Sequence, residues 1–421
     1  MNTLEKRENK RLFTVMNGLF AGYIFLRIIE RIILAWNDYN RYASSWGITE
    51  YMVNYQGGFV RRGLVGELLY QLSLVIPQVD PRWYMVLISG GSLGLVLCFF
   101  ISKFRAHGLC WWILPLNVCL MGAYDLIRKD FLCAMLVIWM LQLFAQNWRG
   151  PVRCGIVMLL LAISLNVHEC IFFMIGPILM LLFLQDKGMS IICRICGSLL
   201  PVAMMVWVCL HKGDAAVAEK IWNSWGGIAD AFNDGIPKGT IASIGWDTKY
   251  ALEYHVKENF LTRSLFAYGW YSKPILWCVV LIFTLNILFL HRRSEKLSIS
   301  ADVHRMLGIL VFQFISLLPM FTVLSCDSSR ICFYWLVSSF AVYFCIPAEV
   351  LNNAFPSFYK KLMSRLQRGI VIEKSWKIVA VSALLLATPQ NYTSVPGTLY
   401  NSVLGTYVYT VVKVVETLDP F

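Results

Sequence analysis

Long apolar runs separated by short polar stretches set the pattern of this chain. Runs near residues 13–36, 84–102, 110–124, 131–147, 154–167, 170–185, 190–210, 274–290, 306–325, 331–347 and 376–389, and a weaker one at 400–415, approach or reach the length at which a helix crosses a bilayer, roughly 17 to 25 residues. They predict an all-α fold, a polytopic transmembrane bundle of about 11 to 12 spans in a single integral membrane domain over residues 1–421. Two stretches stand apart as extramembrane pieces, residues 37–83 and residues 211–273. In the first, Leu64, Val65, Leu68, Leu69 and Leu72 recur at helical spacing while Arg61, Arg62, Glu67 and Gln71 supply polar positions. That pattern predicts an amphipathic helix lying along the membrane surface, entered by a sharp turn at Gly57 and Gly58. The second stretch, with Trp222, Trp225, Trp246 and Trp270, is read as a large external loop. No internal repeat, low-complexity segment or soluble domain stands out.

Composition sharpens this picture. Hydrophobic residues make up 58% of the 421 and charged residues 15%, and the mean hydropathy is +0.60. A soluble domain carries about a quarter charged residues, so a water-soluble enzyme is excluded. The net charge of +12 might point to nucleic acid. The basic residues, however, fall in short clusters between apolar runs rather than in one stripe or arm, which makes them topology signals and argues against a nucleic-acid partner. With the N-terminus in the cytoplasm and residues 37–83 outside, most of them fall on the cytoplasmic side, Lys6, Arg7, Lys103, Arg105, Arg149, Arg153, Lys187, Arg194, Arg292, Arg293, Lys360, Lys361, Arg365 and Arg368 among them. The short outer loops hold Arg41, Arg61, Arg62, Arg82, Arg128, Lys129 and Arg330. A crossing at 63–77 would invert every later loop. Residues 1–12 are basic, and the run that follows is too long for a signal peptide and has no small-x-small site, so the first helix is expected to be retained.

Of the 13 cysteines, Cys98, Cys119, Cys133, Cys170, Cys209, Cys278 and Cys345 fall in apolar runs and read as small hydrophobes. The 211–273 loop has none, and Cys193-x-x-Cys196 lacks the second pair of a zinc site, so neither a disulfide framework nor a structural metal is expected.

The same threading collects four unusual polar constellations on the outer face. They are Asn37-Asp38-Tyr39 leading to Arg61-Arg62; "YDLIRKD", with Asp125, Arg128, Lys129 and Asp130; "NVHEC", with His168 and Glu169; and "CDSSR", with Asp327 and Arg330. Taken singly, Asp125 to Arg128 and Asp327 to Arg330 are i,i+3 spacings that suit ordinary helix-end ion pairs, and Arg61 and Arg62 suit interfacial anchors. An ionisable His-Glu pair between two apolar runs is costly unless it faces a polar cavity. Together, carboxylates, a histidine and several arginines at one membrane face fit a lipid-linked phosphate. Guanidinium forks grip phosphate oxygens, and apolar walls accept a polyprenyl tail. Arg61, Arg62, Arg128, Lys129 and Arg330 are the candidate phosphate ligands, with Asp125, Asp130 and Asp327 in support, and Asp38, His168 and Glu169 are candidate acceptors of a sugar hydroxyl proton. No close set of carboxylates suggests a metal, so the expected chemistry needs no cofactor.

These motifs resemble the membrane-embedded polysaccharide polymerases of the EpsG and Wzy-like group, within the broader GT-C glycosyltransferases. The features are an acidic residue after the first helix ("WNDYNRY"), an Arg-containing turn opening a later span ("DLIRKDFLCAML"), and a His closing another ("ISLNVHECIFFMIGP"). The EpsG group shows Arg-Gln where this chain has Arg128-Lys129. The resemblance implies an enzyme at the outer face of a bacterial inner membrane, joining sugar repeat units carried on undecaprenyl phosphate or diphosphate into O-antigen, capsule or exopolysaccharide. It implies Asp38 as the catalytic base and a chain-length regulator or other glycan-assembly protein as partner. The alternatives are a GT-C transferase moving one sugar from a polyprenyl-phosphate donor, a flippase for lipid-linked oligosaccharides, and a non-catalytic scaffold of a glycan-assembly complex.

Overall fold

The computed structural model describes residues 3–37, 45–112, 127–226, 238–258, 272–295, 298–370, 376–386 and 402–418. Among these the chain is all helix. In order they are α1 (Thr3–Asn37), α2 (Ser45–Met52), α3 (Gly63–Val75), α4 (Pro81–Ala106), α5 (Asp130–Phe144), α6 (Gly150–Val167), α7 (Cys170–Gln185), α8 (Ile191–Leu210), α9 (Ala215–Ser224), α10 (Gly239–Ile244), α11 (Thr248–Val256), α12 (Ser272–Leu288), α13 (Leu290–Ser294), α14 (Ser300–Pro319), α15 (Ser328–Cys345), α16 (Ala348–Ala354), α17 (Ser357–Ile370), α18 (Trp376–Leu386) and α19 (Val403–Leu418). A π-helical turn, Met320–Leu324, extends α14 past Pro319, the kind of irregularity a proline imposes.

The candidate spans α4, α6, α8 and α14 with its π turn are long and apolar enough to cross a membrane, and α15 with α16 makes a fifth if the pair, bent by 114°, is counted as one. Helices α3, α5 and α7 and parts of α12 and α18 are apolar but shorter. The predicted 110–124 run lies mostly outside the described residues.

Helix α5 is the centre of the bundle. Residues on all its sides are buried, from Phe131, Ala134 and Val137 to Ile138 and Leu141, as expected of a helix apolar all round. It packs between α4, α6 and α15, while α7 packs on α8 and α14. Gly197 of α8 sits where a Cβ would come within 2.3 Å of the Phe183 ring of α7, the close approach that small residues allow between membrane helices. At the α15–α16 break the exposed carbonyls find a cation. Arg305 donates to the Tyr343 carbonyl at 2.8 Å and to the Ile346 carbonyl, and its guanidinium lies 4.6 Å from the Tyr343 ring centre.

The two stretches that the sequence pattern predicts to lie outside the membrane pack on each other at one end of the bundle. Thr240 donates its backbone N–H to the Thr49 hydroxyl at 2.9 Å, its own hydroxyl donates to the Trp46 carbonyl at 2.8 Å, and the Trp225 indole donates to the Met52 carbonyl at 2.7 Å. The turn before α3 is closed by the Gly58 N–H to the Tyr55 carbonyl at 2.9 Å, with Gly58 at φ 115. Helix α3 packs only part of its apolar face inward. It buries Gly63, Val65, Gly66 and Leu69, whereas Leu68 is 62% exposed. The cause is Gly66, where a Cβ would lie 1.9 Å from the Val53 carbonyl oxygen and 2.6 Å from that of Tyr51. The glycine side therefore presses on the segment after α2, and Leu68 turns away from it.

Candidate functional site

Local sequence places the charged groups at helix starts. Lys129 and Asp130 open α5, His168 and Glu169 fill the turn between α6 and α7, and Asp327 caps α15 by accepting the Arg330 backbone N–H at 3.2 Å. Three helix N-termini, each the positive end of a macrodipole, thus come together, and the arginines of the α2–α3 connection reach into them.

Glu169 is the hub of one half. Arg62 grips it side-on, with Nε 2.9 Å from Oε1 and 2.7 Å from Oε2 and Nη2 also on Oε1, and Arg61 Nη1 adds a contact at 3.3 Å. Burial alone would raise the Glu169 pKa, but the guanidiniums, Arg62 foremost, hold it well below the usual carboxylate range. The arginine backbones are pinned on both sides. The Arg61 N–H donates to the His211 carbonyl at 2.8 Å, and the Lys129 ammonium donates to the Arg62 carbonyl at 2.9 Å. Arg62 adopts the left-handed conformation, φ 65, which costs a non-glycine residue about 1–2 kcal/mol. Strain of this kind persists where surrounding contacts over-determine it.

Arg330 is the hub of the other half. Its Nε donates to Asp130 Oδ1 at 2.6 Å and to the Tyr334 hydroxyl at 2.7 Å, and its Nη2 lies 3.0 Å from Glu50 Oε1 and 3.3 Å from His168 Nε2. The Tyr334 hydroxyl also donates to Asp130 Oδ1. His168 joins the halves. Its Nδ1 accepts the Cys170 N–H at 3.1 Å, and its Nε2 is 3.0 Å from Glu50 Oε1. An N–H aimed at Nδ1 requires a lone pair there, so this geometry is that of a neutral imidazole donating from Nε2 to Glu50. Burial would raise the Glu50 pKa; Arg330 foremost holds it well below the usual range. Lys129 is fully buried, and burial brings its pKa down to about 8.

Ion pairs form across elements as well as along them. Arg128 faces Asp327 at 3.7 Å and Arg330 faces Asp130 across the α5–α15 interface. Arg61, Arg62, Lys129, Arg128, Arg330, His168, Glu169, Asp130 and Asp327 are therefore brought to one end of the bundle. Asp38 and Asp125 lie outside the described residues. Sequence reasoning missed Glu50 and Tyr334, which are 2% and 0% exposed. The available signals were an acid within the otherwise uncharged "SWGITEYM" of α2 and a tyrosine one helical turn after Arg330.

Beside the Arg128–Asp327 pair, Arg61, Arg62, Lys129 and Arg330 face Glu50, Asp130 and Glu169. Among the described residues these four cations outnumber the three carboxylates by one. Arg61 Nε is buried without a hydrogen-bond partner among the described residues, and so is Asp130 Oδ2. An uncompensated buried cation is costly unless an anion joins it. The arrangement suits binding of an oxyanion by guanidinium forks and helix N-termini. Among the described residues no group of three His, Cys, Asp or Glu side chains is placed to hold a metal ion. A cavity of about 640 Å³, lined by Lys103, Trp139, Gln142 and Phe344 among others, lies toward the other end of α5 and takes no part in this cluster.

Compared with family models, curated proteins and solved structures, the chain matches none.

Proposed function

We propose that the chain is a bacterial inner-membrane glycosyltransferase with its N-terminus in the cytoplasm and a GT-C-like layout in which the shorter apolar helices also cross. It polymerises polyprenyl-linked sugar units at the outer face, for surface polysaccharide. The observation that supports the reading is the excess of cations over carboxylates around Glu169 and Arg330 among the described residues, with Arg61 Nε lacking a hydrogen-bond partner among them. In the reaction an acceptor hydroxyl attacks the anomeric carbon of the lipid-linked unit, and the bond from that carbon to the phosphate oxygen breaks with its electron pair leaving on the phosphate. Arg61, Arg62, Lys129 and Arg330 stabilise that developing charge. The hydroxyl proton needs an acceptor. His168 has both nitrogens engaged and Glu169 is clamped by arginine, so His168 orients Glu50 and Glu169 orients the arginines, and Asp38, following α1, is the assigned base. A transporter reading fits less well, because functional charges of secondary transporters gather near the midplane, whereas these gather at helix ends.

The test is complementation of a deletion strain, scored by amount and length of surface glycan at matched protein abundance. Arg62→Lys keeps the charge and the backbone cost but loses the planar fork. It is expected to lower long product by on the order of a hundredfold, and Asp38→Asn to abolish it. Normal product from Arg61→Lys and Arg62→Lys alike would make the pair a headgroup anchor, and normal product from Asp38→Asn would remove the base assignment.

A further inference from the structure

Helix α17 carries a surface that the charged cluster does not use. Its residues Tyr359 and Met363 are buried, and the Tyr359 hydroxyl donates to the Gly308 carbonyl of α14 at 2.6 Å. Gln367 donates to the Ser300 carbonyl at 3.1 Å. The helix therefore runs antiparallel to the first turns of α14, at the end of the bundle remote from Arg330. Next to this buried face, Phe358, Leu362 and Leu366 are 70%, 47% and 39% exposed. They recur at i,i+4,i+8 and form one open apolar stripe. Lys361, Arg365 and Arg368, all exposed, form a second stripe alongside it. Residues 351–370 contain no aspartate or glutamate, so the segment offers no anion of its own to these cations.

We infer that α17 is an interfacial helix that binds anionic lipid headgroups through Lys361, Arg365 and Arg368 while Phe358, Leu362 and Leu366 enter the boundary of the acyl layer. An aqueous fate would leave a row of large apolar side chains in water. A span is excluded by the basic residues and by the length of 14 residues. Contiguous apolar and basic stripes in one short helix match the division between acyl chains and headgroups, and an anionic leaflet supplies the missing counter-charge. Arg305 and Arg292 at the start of α14 and on α13 are already engaged with helix carbonyls and Asp302, whereas Lys361, Arg365 and Arg368 are exposed.

The test places a nitroxide at Leu362→Cys, in full-length protein lacking other reactive cysteines, reconstituted in phosphatidylcholine vesicles with increasing phosphatidylglycerol. The expected result is greater collision with oxygen than with a water-soluble nickel chelate, and a depth that increases and saturates as phosphatidylglycerol rises. Replacing Lys361, Arg365 and Arg368 by Gln is expected to raise the half-saturating fraction by on the order of tenfold. Greater nickel than oxygen access would put the stripe in water, overturn the proposal and point to an acidic protein partner. A depth indifferent to phosphatidylglycerol, or to the triple substitution, would also overturn it.

Discussion

Lys129 is where a single residue gives the clearest prediction. Its amine is fully buried, over the Tyr51 ring at 5.7 Å and bonded to the Arg62 carbonyl, with a pKa brought down to about 8 by burial. Below that pH it is a cation, and above it the charge is lost, so its help to an anionic substrate falls as pH rises through about 8. Because kcat/KM reports the free enzyme, a pH profile of kcat/KM is expected to descend on the alkaline side near pH 8. Lys129→Arg, always protonated, is expected to move that descent upward. An unchanged profile in Lys129→Arg would assign the limb to another group. At this scale much of the site was legible, because Arg61, Arg62, His168, Glu169 and Arg330 interrupt apolar sequence where a charge needs a reason. Glu50 was not, since an acid in an external segment is unremarkable until α2 is seen buried beneath α10. The pairing of Arg128 with Asp327 and of Arg330 with Asp130 was illegible for a related reason. Helical spacing reports neighbours along one element and is silent about the element beside it.

At the scale of elements, most of the helices follow from the apolar runs, and the caps explain several starts. Asp80 accepts the Arg82 N–H at 2.9 Å ahead of Pro81, and Ser190 accepts the Cys193 N–H at 3.3 Å. The side of α3 that packs against the protein did not follow, because periodicity weighs side chains and the decisive residue has none. Gly66 sets how closely α3 approaches the carbonyls of Tyr51 and Val53, and hence where Arg62 enters the cluster. Gly66→Ala places a methyl group against fixed backbone and is expected to cost about 1–3 kcal/mol. Measured in detergent, the melting temperature should fall, and product should fall with it as the arginines move from Glu169. An unchanged melting temperature and full activity would mean that α3 is not held as described. The sharp end of α15 falls at Ile346, extended ahead of Pro347 as a residue before proline favours, while Arg305 from α14 satisfies carbonyls that the break exposes.

For the molecule as a whole, the helix bundle gathers its buried charge at one end and presents a basic, partly apolar helix at the other. Among the described residues, fewer helices are long enough by themselves than the crossings read from sequence, and α5 and α7, at 15 and 16 residues, are about 22–24 Å long, short of a typical hydrocarbon core. On the proposed function, short central helices that end in ionised groups place those groups below the membrane surface, where a lipid-linked phosphate would be met. The most direct test of this account is equilibrium binding of undecaprenyl phosphate and of the uncharged undecaprenol to the purified chain in bilayer discs. The account predicts that the phosphate tightens binding by on the order of a hundredfold, as two charge-assisted hydrogen bonds would, and that Arg62→Lys removes most of that advantage without changing undecaprenol binding. Equal affinity for the two lipids, or a phosphate advantage untouched in Arg62→Lys, would contradict it.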